Sequence, residues 1–136
     1  MQVLDPSGCP GEPSETSEDG RRVLLERQRT AAAERVASLE RQLRQLADEQ
    51  ALTTHDDEHD PEGMTIGYQR AQFQSLLASA RADLTAAGGA LKRLDEGSYG
   101  RCRTCGATIG ANRLAALPAT LTCIDCARGG RAARPR

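Results

Sequence analysis

Aromatic material is nearly absent from this 136-residue chain, which has one Phe, two Tyr and no Trp. A compact globule of that length ordinarily leans on several bulky aromatic anchors, so a deep single core is not expected. Apolar residues make up only 38% of the chain, and no run approaches the roughly 18 residues needed to cross a bilayer. The start, Met1 to Pro6, has neither the basic opening nor the apolar stretch of a secretory signal. These absences set the expectation of a soluble, cytoplasmic protein with no membrane partner. Thiols stay reduced in that compartment, where clustered cysteines point to metal before disulfides. No nucleophile–base pair and no open metal site is visible either, so an enzyme is not expected.

Charge is plentiful, and its near-cancellation to a net −1 conceals strong segregation. Residues 1–20 hold five acids and no basic side chain, and residues 21–52 come to +2. The stretch 53–63 holds Asp56, Asp57, Glu58, Asp60 and Glu62, for −5; residues 64–96 come to +1, and residues 97–136 carry +6. Alternating blocks of this kind suit an elongated molecule whose ends meet different surroundings. The length itself allows one domain, or one small domain with an extended arm.

Residues 1–16 are rich in Pro, Gly, Ser and acid, and cannot bury enough apolar area to offset their ordering entropy. They read as a flexible lead. Cys9 lies within it, apart from the other four cysteines, as a spare exposed thiol. Residues 17–52 then read as one long helix, with Thr16 or Ser17 as cap and acids in the first turn. Leu25, Ala32, Leu39 and Leu46 recur every seven residues, interleaved with Val36 and Leu43, which is a heptad seam. A second seam follows: Phe73, Leu77, Ala80, Leu84, Ala87, Leu91 and Leu94, with Ile66 one heptad earlier. Asp60-Pro61 supplies its start and Gly97 its exit, and Gly88-Gly89 allows local bending.

Two consecutive apolar stripes, each on a helix of about 50 Å by its rise per residue, are most cheaply buried by folding back on each other. The fold class expected is therefore mainly α: a long antiparallel coiled-coil hairpin over 17–96 with an acidic tip at about 53–63. A small C4 zinc-finger base over 97–128 and a flexible basic tail over 129–136 complete the chain. The intramolecular partner helix is at far higher effective concentration than a second chain, so a monomer is expected.

Cys102 and Cys105, then seventeen residues, then Cys123 and Cys126 form C-x2-C-x17-C-x2-C. Two such tight turns complete a tetrahedron of sulfurs about 2.3 Å from a metal. Four thiolates with no water-bearing position describe a closed, structural Zn²⁺ site, one per chain; iron–sulfur ligation is the other metal reading. Gly100 and Gly106 flank the first pair where the backbone must turn sharply. Between the knuckles, 112–117 reads as a short helix ended by Pro118.

With these residues in view, the chain resembles a family. Gly97-Ser98-Tyr99-Gly100-Arg101-Cys102-Arg103-Thr104-Cys105-Gly106, then Ile109-Gly110, Arg113-Leu114, Pro118 and Cys123-Ile124-Asp125-Cys126, looks like the DksA/TraR C4-type zinc-finger proteins. Proteins of that family bind bacterial RNA polymerase and place the coiled-coil tip in its secondary channel, toward the catalytic Mg²⁺. They do so without sequence-specific DNA contact, and some act together with ppGpp. The resemblance implies RNA polymerase as partner. It also implies Asp57 and Asp60 as the tip acids, in the family pattern Asp-x-x-Asp-x-Ala with Glu62 in the place of the alanine; Asp56 and Glu58 are their neighbours. Gly129-Gly130 and Pro135 depart from the longer closing helix of DksA members.

Other readings of the same residues stay open. Five carboxylates close together make a solvated turn by mutual repulsion alone, and His55 and His59 beside them read as solvated, pH-responsive side chains. The arginine surplus after residue 97 would suit a nucleic-acid-binding zinc module, although the aromatics needed for base stacking are missing. A zinc-linked thiol redox sensor is the third class, with Arg101 and Arg103 favouring thiolates.

Overall fold

A computed structural model describes residues 17–52 and 61–129, with the backbone alone for 61–63. The lead with Cys9, the segment 53–60 with His55, Asp56, Asp57, Glu58, His59 and Asp60, and the tail from residue 130 lie outside the described residues. Four helices are present among them: α1 Glu18–Leu52, α2 Pro61–Glu96, α3 Ala111–Ala116 and α4 Ile124–Ala127. The fold is mainly α, two long helices in an antiparallel hairpin followed by the C4 segment.

The helix ends follow from local chemistry. Ser17 caps α1, its Oγ accepting the Gly20 N–H at 3.0 Å, and Glu18 and Asp19 lie in the first turn where the helix dipole favours acids. Proline at the first position of α2 loses no hydrogen bond, because that N–H has no partner inside the helix. At the far end Gly97 turns left-handed at φ +75°, and the Ser98 N–H returns to the Arg93 carbonyl at 2.9 Å while the Gly97 N–H returns to Leu94 at 3.3 Å. That pair of bonds is a Schellman termination, which glycine reaches without a Cβ penalty.

The chain divides into two compact units: Glu26–Gly89, and Met1–Leu25 together with Ala90–Arg136. In the first, Leu39, Leu77 and Ala80 form the buried centre, with Val36, Leu43 and Phe73 packed against it. Arg81 pairs with Glu40 at 2.8 Å and Arg35 with Asp83 at 3.5 Å, while Arg70 donates to Gln50 at 3.3 Å. Partner numbers fall along α1 as they rise along α2, so the strands of this coil run antiparallel. Exposed pairs of this kind contribute little stability. They specify register, and the apolar seam carries the energy.

In the other unit Leu25 is wholly buried against Ala90, Leu91 and Leu94, and Tyr99 and Ala119 close over that cluster. Arg22 pairs with Asp95 at 2.7 Å beside it. Heptad spacing alone leaves Ala90 off the seam, yet it is fully buried, because the segment after α2 folds back over that face and widens the covered stripe. Leu84, a seam position by spacing, is only half-buried. Helix α2 runs unbroken through Gly88-Gly89, and nothing in the structure requires a glycine at 88, where an added Cβ would meet no atom within 4 Å.

Three outcomes are expected in denaturant unfolding monitored by circular dichroism. Leu39→Ala lowers stability by about 2–4 kcal/mol through the cavity it leaves, and Ala80→Leu lowers it by about 1–3 kcal/mol because the seam is closed at that point. Gly88→Ala instead raises stability, by about 0.5–1 kcal/mol. A loss at residue 88 would show that the glycine answers a packing need absent from this structure.

Candidate metal centre

The segment after α2 has little apolar material of its own. Its buried cluster is Cys102, Ile109 and Leu114, with Tyr99, Cys105, Cys123 and Cys126 packed around them, and Pro118 is buried as well. What organises it is a set of tight turns. In the first knuckle Gly106 adopts φ +75°. Its N–H donates to the Cys102 carbonyl at 2.9 Å, and the Ala107 N–H donates to the Cys105 Sγ at 3.5 Å. The Cys102 N–H returns to Ala107 at 2.8 Å, and an isolated antiparallel bridge joins Arg101 to Thr108. Gly100, at φ +83°, receives the Ile109 N–H at 2.7 Å, and a Cβ there would already touch the Leu114 Cδ1 at 3.5 Å.

The second knuckle is brought over the first by α3 and its flanks. The Arg103 N–H donates to the Leu121 carbonyl at 2.8 Å, and the Arg113 Nε donates to the Thr122 carbonyl at 2.9 Å. Cys123 then stands at the N-terminal boundary of α4, whose backbone closes with the Ala127 N–H on the Cys123 carbonyl at 3.0 Å. Tyr99 donates its hydroxyl to the Pro118 carbonyl at 2.7 Å, tying the entry of the segment to the turn after α3. Burial raises the Tyr99 pKa, with the charges of Arg21 and Arg93 opposing the shift.

All four sulfurs lie within 4.8 Å of one another. Cys105 and Cys123 are 3.8 Å apart, well beyond a disulfide bond of about 2.05 Å. A tetrahedral Zn²⁺ with bonds of about 2.3 Å places its sulfurs about 3.8 Å from each other. The donor set is four soft sulfurs, and backbone N–H groups face them. Cys102, Cys105, Cys123 and Cys126 therefore fit one zinc ion, which would act as a structural cross-link and a counter-charge to the thiolates.

Electrostatics of the thiols point the same way. Backbone N–H groups of Cys123 and Cys105 draw Cys102 down to about 6, so one sulfur ionises readily. Burial and the neighbouring thiols push Cys126 up to about 12. Cys105 is raised too: the Ala107 N–H favours its thiolate, but burial and the Cys102 and Cys123 thiols outweigh that bond. Crowded thiols resist a second negative charge, and a divalent cation in their midst reverses the balance.

Residues 97–129 match the family described as the prokaryotic dksA/traR C4-type zinc finger. The match covers the C4 segment after α2. Among solved structures it is similar to transcription factor DksA2 from Pseudomonas aeruginosa, at 28% identity and a TM-score of 0.68, with 90% of this chain and 89% of that chain covered. A search of curated proteins found no match.

The four cysteines of the spacing pattern are thus brought together. Of the expected tip acids, Asp56, Asp57, Glu58 and Asp60 lie outside the described residues, and Glu62 falls in the first turn of α2. Two finger contacts have no counterpart in spacing arguments: the Tyr99–Pro118 clamp and the Arg113–Thr122 bond. The presence of Tyr99, Arg113 and Pro118 in the DksA/TraR pattern was the signal available for them; Thr122 had none. Arg113 is occupied inside the finger, which reduces the basic surface that could face a nucleic acid.

Zinc uptake by the metal-free protein is expected to release protons. Cys105 and Cys126 have raised pKa values and are protonated at neutral pH, so at least two protons per chain leave as zinc binds near pH 7. Affinity accordingly rises with pH, since ligation needs thiolates. Calorimetry in buffers of different ionisation enthalpy, with elemental analysis for about one zinc per chain, reads both quantities. Uptake without proton release would contradict thiolate ligation.

Proposed function

We propose that this protein is a zinc-binding bacterial transcription regulator of DksA/TraR type, non-enzymatic, that binds RNA polymerase and presents the acidic 53–63 stretch in the secondary channel. The observation that carries the reading is the likeness to transcription factor DksA2 over 90% of this chain, at 28% identity. The matched C4 finger supports it independently. Zinc holds the finger, and the hairpin supplies a stable support for the acids between its helices. Carboxylates brought near a metal-dependent phosphoryl-transfer centre bias Mg²⁺ occupancy there or pair with mobile basic residues. Asp57 and Asp60 carry that role, with Asp56, Glu58 and Glu62 adding to the local charge. The expected assembly is one chain per polymerase in the cytoplasm, and no described helix is long and apolar enough to cross a membrane.

Tagged protein is expected to retain RNA polymerase from host lysate at low salt. The double variant Asp57→Ala/Asp60→Ala keeps that retention while losing its effect in a purified transcription assay. Polymerase passing through uncaptured would end this reading, and an unchanged transcriptional effect in the double variant would remove the acids from it. Adding ppGpp to the same assay separates an alarmone-dependent effect from a constitutive one.

A further inference from the structure

Tyr99 belongs to two clusters at once. It packs against Cys102, Ile109 and Leu114 in the finger, and with Ala119 it closes over Leu25, Ala90, Leu91 and Leu94 at the base of the hairpin. Both covering residues come from the segment after α2, and both are placed by the finger. The Tyr99 hydroxyl donates to the Pro118 carbonyl at 2.7 Å, and the turn carrying Ala119 closes with the Thr120 N–H on the Leu117 carbonyl at 3.0 Å. Just beyond it the Leu121 carbonyl accepts the N–H of Arg103, which lies between the first two cysteines, at 2.8 Å.

The base has little of its own to hold it. Leu25 is the α1 member of the buried cluster, and the Arg22–Asp95 pair beside it is open to solvent at Asp95. Such pairs contribute little stability. Residues 90–96 make up roughly the last two turns of α2, and they follow directly on Gly88-Gly89, where helix propensity is lowest short of proline. The division into compact units falls at the same place. Ala90 onward groups with the finger and with the chain up to Leu25, whereas Glu26–Gly89 has its own buried centre at Leu39, Leu77 and Ala80. Segments with few buried contacts open locally, at a fraction of the free energy of global unfolding.

We propose that zinc binding closes the base of the hairpin as well as the finger, and that Tyr99 is the side chain that carries the effect from the sulfur cluster to Leu25, Leu91 and Leu94. Without the ion the finger's turns lose their common anchor, Tyr99 and Ala119 leave the cluster, and the three leucines meet water. Opening stops at Gly88-Gly89, so the seam around Leu39 and Leu77 stays formed. The proposal rests on the four cysteines as zinc ligands and not on polymerase binding.

Amide hydrogen exchange of the full chain, kept reduced and either zinc-loaded or stripped by a chelator, reads the effect directly. Residues 21–25 and 90–96 are expected to exchange at least about tenfold faster without zinc, with residues 36–43 and 73–80 unchanged. Linkage gives a second reading, because a base that zinc closes must in turn tighten zinc. Leu25→Ala, outside the finger, is expected to weaken zinc affinity by about threefold or more, measured by competition with a chromophoric chelator. Leu39→Ala, a like truncation on the same helix, leaves that affinity unchanged. Tyr99→Phe keeps the Leu25 effect, and Tyr99→Ala abolishes it. Equal exchange at 90–96 with and without zinc, faster exchange along 36–43 and 73–80 as well, or zinc affinity indifferent to Leu25→Ala overturns the proposal. A Leu25 effect that survives Tyr99→Ala overturns the role of Tyr99. The exchange and Leu25 measurements leave Tyr99 intact, so they decide for or against closure by zinc even where Tyr99→Ala takes up no metal.

Discussion

Four sulfurs converging on one point is the constraint on which the finger depends. Residues 97–129 bury only Cys102, Ile109, Leu114 and Pro118, far too little apolar area to offset the entropy of ordering over thirty residues. Turns at Gly100 and Gly106, the Arg101–Thr108 bridge and the bonds to Leu121 and Thr122 fix directions without supplying much net energy. A bound ion converts them from weak local preferences into one structure, since metal affinity in such a site is folding free energy. The pKa pattern makes the same statement in charge: Cys102 is ready to ionise, while Cys105 and Cys126 resist following it unaided.

The long helices solve the shortage of aromatics differently. Leu25, Ala32, Leu39 and Leu46 on α1 face a seam on α2 in which Ala80, Ala87 and Ala90 are as buried as any leucine. Alanines at these positions allow the backbones to approach, so dispersion contacts accumulate without large side chains. Alanine also has the highest helix propensity. The same residue therefore serves both the helix and the interface. Ion pairs such as Glu40–Arg81 and Arg35–Asp83 lie outside that seam and discriminate between registers, which an alanine-rich stripe specifies poorly by shape alone.

How much of this was legible from residues alone depended on whether the signal was periodic or local. The heptads gave both long helices, Ser17 and Gly97 marked two of their ends, and the C-x2-C-x17-C-x2-C spacing gave the sulfur cluster. The burial of Ala90 was not legible, because it is set by Tyr99 and Ala119 folding over α2 rather than by the period of α2 itself. Leu84 erred the other way: its spacing is right, but the partner surface does not close over it. Likewise Tyr99 looked like part of a motif, whereas its hydroxyl on Pro118 and its ring under Arg21 are tertiary contacts that no spacing rule contains.

Segregated charge has a cost that this arrangement of residues offsets. A finger region at +6 in the sequence would be drawn to any polyanion, nucleic acid among them. Such attraction would compete with a specific protein surface while adding no selectivity. Arg113 is already removed from that account by Thr122, and zinc-bound thiolates bring two further negative charges into the finger. The +6 of residues 97–136 falls to about +4 once those thiolates are counted, a modest surplus for holding a polyanion.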